Sequence, residues 1–79
     1  MTQVGEYIKR LRAETLISQR ELAKYLGFTN AFLGRIELGH CGLPVKYVQK
    51  IAKRFDVDKE EILKRMRKDM LERLRAKTE

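Results

Sequence analysis

The chain has 79 residues, 43% of them apolar, which is enough for one domain around one hydrophobic core and too little for a catalytic cleft between domains. Its 18 lysines and arginines outnumber 11 aspartates and glutamates, and the formal charge of +7 fits a polyanionic partner, nucleic acid or an anionic membrane surface. A single cysteine, Cys41, excludes an intramolecular disulfide, and no apolar run approaches the roughly 18 residues needed to span a bilayer.

The first residues are polar, with Glu6, Lys9, Arg10 and Arg12, so no signal-peptide core is present and a reducing, cytoplasmic setting is expected. Val4, Ile8, Leu11 and Leu16 recur at spacings of three to five and predict an amphipathic helix to about Thr15. Ser18 followed by Glu21 is a capping box, in which the serine oxygen accepts from the N3 amide. It opens a short second helix with Leu22, Ala23 and Leu26 inward, ended by Gly27, where left-handed backbone is cheapest. Thr29 reads as the N-cap of a third helix to about Leu38, with Leu33 and Ile36 inward and Gly39 as its stop.

His40 to Leu43 is expected to be a loop, and Pro44 to lie in the first turn of a fourth helix, buried along Val48, Ile51, Ala52 and Phe55. Asp58 with Glu61 forms a second capping box, starting a fifth helix that runs to about Lys77. Basic and acidic residues are interleaved along the chain, as on a folded surface and not in a basic arm. There is no repeat and no linker.

The informative stretch is SQRELAKYLGFTNAFLGRIELG, Ser18 to Gly39. Two short helices are separated by three residues, with small Ala23 where they must approach and Gly27 at the turn, the requirements of a helix-turn-helix. The ordered set of Ser18-Gln19, Glu21-Leu22-Ala23, Leu26-Gly27, Thr29 and Leu33…Arg35-Ile36-Glu37…Gly39 resembles the Xre/Cro-type phage-repressor helix-turn-helix family. Leu43-Pro44 and Ile51-Ala52…Phe55-Asp56-Val57 extend the resemblance over about Val4 to Leu63.

The resemblance implies a lambda-repressor-like, all-α domain of five helices, with residues 1–65 as the DNA-binding domain and 66–79 as an extension of the fifth helix. It implies that the third helix enters the major groove of double-stranded DNA, placing Asn30, Ala31, Gly34 and Arg35 at base edges. Arg35 suits guanine O6 and N7, Asn30 suits adenine N6 and N7, and Ala31 can touch only a thymine methyl. Gly34 replaces the polar residue often found there and costs roughly 1 kcal/mol of helix propensity; its expected use is to let the helix sit close to the DNA.

Gln19 and Thr29 match positions that hold the DNA backbone, and both stand at helix N-termini, where amides and the dipole favour phosphate. Thr29 can also be only a cap. Phe32 is open to two readings, core packing or contact with sugar and thymine methyl, with partial burial expected. Lys46 is the basic residue of the fourth helix expected at the DNA backbone, with Lys50, Lys53 and Arg54 as solvated surface. Arg12 and Glu37 match a structural ion pair between the first and third helices.

His40 and Cys41 supply two donors where a structural zinc wants four, so both read as ordinary loop residues. No carboxylate pair, glycine-rich phosphate loop or nucleophile motif stands out, so neither an enzyme, a cofactor nor a small-molecule substrate is expected. The fifth helix continues its apolar stripe through Met66, Met70, Leu71 and Leu74, beside Lys64, Arg65, Arg67, Lys68, Asp69, Glu72 and Arg73. Such a stripe needs a cover. A second copy of the chain is the favoured one, against folding back or fraying, and a membrane role is minor given Asp69, Glu72 and the lack of large aromatics. The reading is a homodimeric, sequence-specific repressor on a two-fold operator; the alternative is a helix-turn-helix protein-interaction module or antitoxin-type partner-binding protein.

Overall fold

The computed structural model describes residues 2–78, with side chains through residue 77. Five α-helices follow one another: α1 Gln3–Thr15, α2 Gln19–Leu26, α3 Asn30–Leu38, α4 Val48–Phe55 and α5 Lys59–Thr78, with a 3₁₀ turn at Val45–Tyr47. No strand occurs among the described residues. The architecture is the all-α, lambda-repressor-like domain expected.

Local chemistry sets most of the boundaries. Thr2, Ser18 and Thr29 each accept a main-chain N–H three residues ahead, from Gly5, Glu21 and Phe32, which satisfies one orphan donor at the start of each helix. Gly27 and Gly39 close α2 and α3 with φ of 87° and 84°, a conformation that a β-carbon penalises. Asp58 also caps its helix, but its Oδ1 accepts from Glu60 N–H at 3.0 Å, one residue before the N3 amide of a capping box.

One stripe residue and one boundary depart from the sequence reading. Leu16 does not continue the α1 stripe: it adopts a left-handed conformation at φ 59°, ends the helix and is 90% exposed. Ile17 is buried in its place, since the reversal at Leu16 points the next side chain inward. Pro44 does not start α4. It precedes the 3₁₀ turn, Tyr47 N–H bonds back to its carbonyl at 3.1 Å, and α4 begins only at Val48.

One core is shared by all five helices. Ile8, Leu22, Leu33, Ile36, Ile51 and Ile62 are its large, fully buried side chains. Ala23 is buried where α2 meets α3, and Val48, Ile51, Ala52 and Phe55 line α4 as expected. Burial of each large aliphatic side chain contributes about 1.5–3 kcal/mol, so this cluster is the main source of stability and fixes α3 against α1 and α2.

α5 packs along α1 and α4, with Leu63 and Met66 against the core. Met66 is therefore half-buried against its own domain. Asp69 departs from the mixed-charge face expected of it: it is buried, and its carboxylate accepts the main-chain N–H groups of Gln3 and Val4. Beyond it, Met70, Leu71 and Leu74 are 61%, 58% and 54% exposed.

Candidate nucleic-acid interface

α2 and α3 are joined through Gly27, Phe28 and Thr29. Leu33, Ile36 and Glu37 turn into the molecule from α3 and leave Asn30, Ala31 and Arg35 exposed on its outer side, with Gly34 half-buried at the flank. A helix held on one side and open on the other can enter a groove wide enough to take it, and the B-DNA major groove, about 12 Å across, is wide enough. The buried side also limits rotation of the helix, so the outward set is fixed.

The turn is stiffened by aromatic packing. The Phe28 ring meets Phe32 edge-on at 5.0 Å and Tyr47 at 4.9 Å, linking the turn, the start of α3 and the 3₁₀ turn. Phe32 is half-buried in this cluster, in line with the partial burial expected of it. Lys46 is exposed on the same 3₁₀ turn, its ammonium 5.3 Å above the Tyr47 ring, so the cluster sets this cation beside the entry to α3. Lys50 and Arg54 instead lie over the Tyr25 ring at 5.2 and 5.9 Å.

Behind α3 stands a polar network. Arg12 donates to both oxygens of Glu37, from Nε at 2.6 Å and Nη2 at 2.8 Å, and from Nη1 to the Ile17 carbonyl at 3.1 Å. Glu37 is 4% exposed, so this is a buried bidentate pair, the ion pair between the first and third helices that the resemblance implies. The hydrogen bonds that Arg12 donates to Glu37 raise its pKa further above the ordinary value, with burial opposing, so the guanidinium stays charged.

The same carboxylate accepts a third hydrogen bond, from a partner absent from the sequence reading. Gln19 Nε2 donates to Glu37 Oε1 at 3.1 Å, which draws the Gln19 side chain from the first position of α2 across to α3. Its amide lies over Gly34. A β-carbon at that position would stand 3.4 Å from Nε2, 3.6 Å from Oε1 and 3.7 Å from Cδ. The space above Gly34 is thus already taken by the amide. No sequence signal announces this, because it depends on the crossing of two helices.

Gly5 is a second contact the sequence does not reveal. A β-carbon there would fall 2.5 Å from the Ile36 carbonyl oxygen and 2.7 Å from that of Glu37, so α1 crosses the end of α3 at backbone contact. His40 is exposed and Cys41 half-buried, and among the described residues no group of three or more His, Cys, Asp or Glu is placed to hold a metal ion. No helix among them is long and apolar enough to cross a membrane.

The chain matches the helix-turn-helix family over residues 8–62, more than half its length. It belongs to that family, in its Xre/Cro-type branch. Among solved structures the chain is similar to SinR, described as the master regulator for biofilm formation and crystallised in complex with DNA. The two share 30% identity at a TM-score of 0.67, over 76% of this chain and 97% of that one. No curated protein matches the chain. Membership makes it a helix-turn-helix regulator of the DNA-binding kind, and the α2–turn–α3 unit described above lies wholly inside the matched span.

Proposed function

We propose that the chain is a transcriptional repressor that binds double-stranded DNA as a homodimer, placing α3 of each copy in the major groove of a two-fold operator. The observation that carries this reading is the outer side of α3: Asn30, Ala31 and Arg35 are open to solvent while Leu33, Ile36 and Glu37 anchor the opposite side. Arg35 offers a guanine-reading fork and Asn30 an adenine-reading amide, with Ala31 as a third base-facing position and Gly34 beside them under the Gln19 amide.

Around them, Thr29 and the main chain of Gln19 stand at the N-termini of α3 and α2, where phosphate is favoured. Phe32 and Lys46 complete the backbone contacts, Lys46 through its charge and Phe32 through its exposed edge. The relative crystallised with DNA, SinR, supports double-stranded DNA as the ligand. The exposed Met70, Leu71 and Leu74 support a second copy as the cover of the α5 end, since symmetric dimers match two-fold sites. This reading assigns the chain no catalytic role and a place in the cytoplasm.

The test is selection from a randomised duplex pool. The expected motif is two-fold symmetric, with half-sites about one helical turn, roughly 34 Å, apart and affinity falling steeply with salt. Recovery of no enriched sequence, or binding insensitive to salt, would overturn the reading.

A further inference from the structure

We infer that the side-chain amide of Gln19 is a base reader supplied by α2, acting from the seat left open by Gly34, and that it selects an adenine. The inference rests on the proposal that this surface binds duplex DNA, and it concerns a side chain whose position in the sequence suggests only backbone contact.

Three observations lead there. The amide lies flat over Gly34, with Nε2, Oε1 and Cδ all 3.4–3.7 Å from where a β-carbon would be. On a helix, position 34 adjoins positions 30 and 31, one turn back, so the amide sits in the row of Asn30 and beside Ala31. Ala31 is too small to cover it.

Glu37 then decides which way the amide faces. An ionised carboxylate, paired with Arg12, can only accept hydrogen bonds, so it must face Nε2 and not Oε1. One N–H of Gln19 is consumed there at 3.1 Å. The other N–H and Oε1 have no partner among the described residues. One N–H donor and one acceptor thus remain on the amide, and an amide donor–acceptor pair is what meets adenine N7 and N6 in the major groove.

Gly34 thereby gains a role distinct from close approach to DNA. A methyl group at 34 would just reach van der Waals contact with the amide, whereas any longer side chain must expel it. The main-chain amide of Gln19 remains available to phosphate at the start of α2 whatever its side chain does, so the two functions of the residue separate by mutation.

The experiment is motif selection and competition binding with the wild-type chain and the variants Gln19→Ala, Gly34→Ala and Gly34→Leu, each checked for helicity by circular dichroism. The wild type should prefer adenine at one position of each half-site besides the one that Asn30 reads. Gln19→Ala should lose that preference by at least about fivefold, with the rest of the motif kept. Gly34→Ala should retain it, and Gly34→Leu should lose it as Gln19→Ala does. A Gln19→Ala motif identical to wild type, with weaker binding at every sequence alike, would overturn the inference while leaving DNA recognition intact. A wild-type chain that enriches no sequence would overturn DNA recognition itself, and the inference with it.

Discussion

Asp69 and Val4, 65 residues apart, are joined by a hydrogen bond of 3.0 Å from the Val4 main-chain N–H to the Asp69 carboxylate. The other carboxylate oxygen takes the Gln3 N–H at 2.7 Å. A buried carboxylate at a helix N-terminus satisfies orphan amides and meets the positive end of the helix dipole, so α5 is fastened to α1 through the first turn of α1. Removing a partner that leaves buried donors unpaired costs about 1–3 kcal/mol. Asp69→Ala should therefore lower the free energy of unfolding in urea by about 2 kcal/mol. An unchanged midpoint would show that the two bonds contribute nothing net.

At Gly5 the constraint is steric. Since a β-carbon would meet two carbonyl oxygens at 2.5 and 2.7 Å, both of them main chain, neither neighbour can swing away as a side chain would. Gly5→Ala should force α1 off α3 and destabilise by roughly 1–3 kcal/mol, although alanine improves helix propensity by up to about 1 kcal/mol. Thermal unfolding measures the outcome, and a rise in Tm would refute the close crossing.

Arg12 and Glu37 should couple strongly. Truncating one partner of a buried pair leaves the other charge uncompensated, at about 3–5 kcal/mol, and the Arg12 head is slightly exposed, which favours the lower figure. Arg12→Ala and Glu37→Ala should each cost about 3 kcal/mol, and the double variant clearly less than their sum. Additive losses would mean that the two side chains act independently. Loss of Glu37 should also release the Gln19 amide.

Arg35 and Lys46 should separate base reading from backbone attraction. Arg35→Ala removes a guanine-type fork and should cost about 1–3 kcal/mol at the preferred site, relaxing one position of the motif. Lys46→Ala should weaken every sequence alike and reduce the salt slope by about 1. Binding titrations over a series of salt concentrations distinguish them. Equal effects from the two variants on specificity would contradict the assignment.

The parts of the fold legible in the sequence are those set by short-range chemistry. Ser18 and Thr29 cap the helices they stand before, Gly27 and Gly39 end those they follow, and the apolar spacing of α4 names its buried face. What was not legible depends on contacts between elements. Leu16 fits the apolar spacing of α1 yet serves as its left-handed terminus, because the chain must turn there toward Ser18. Asp69 looks like one charge among many on a surface helix until α5 lies along α1 and meets its free amides. Gly5 and Gly34 carry no pattern at all: one is small because a backbone passes, the other is covered by Gln19. The outer residues of α3 follow from the family resemblance, whereas the orientation of Gln19 needs the position of Glu37.

The proposed dimer rests on the α5 end. Met70 and Leu74 are one turn apart, Leu71 and Leu74 three residues apart, so the three exposed side chains form one apolar strip beyond the last contact with the core. Cutting the chain after Lys68 is a poor probe, because it removes Asp69 and loosens α1 at the same time. Substituting Met70, Leu71 and Leu74 together by Gln keeps that fastening and alters only exposed positions. Full burial of such side chains contributes about 1.5–3 kcal/mol each, so partial burial in both copies should make their loss weaken self-association on the order of a hundredfold or more. Sedimentation equilibrium should then give a dimer for the wild type and a monomer for the triple variant, with nearly equal Tm at low concentration. A wild-type chain that sediments as a monomer, or a triple variant that still sediments as a dimer, would rule out this strip as the interface between copies.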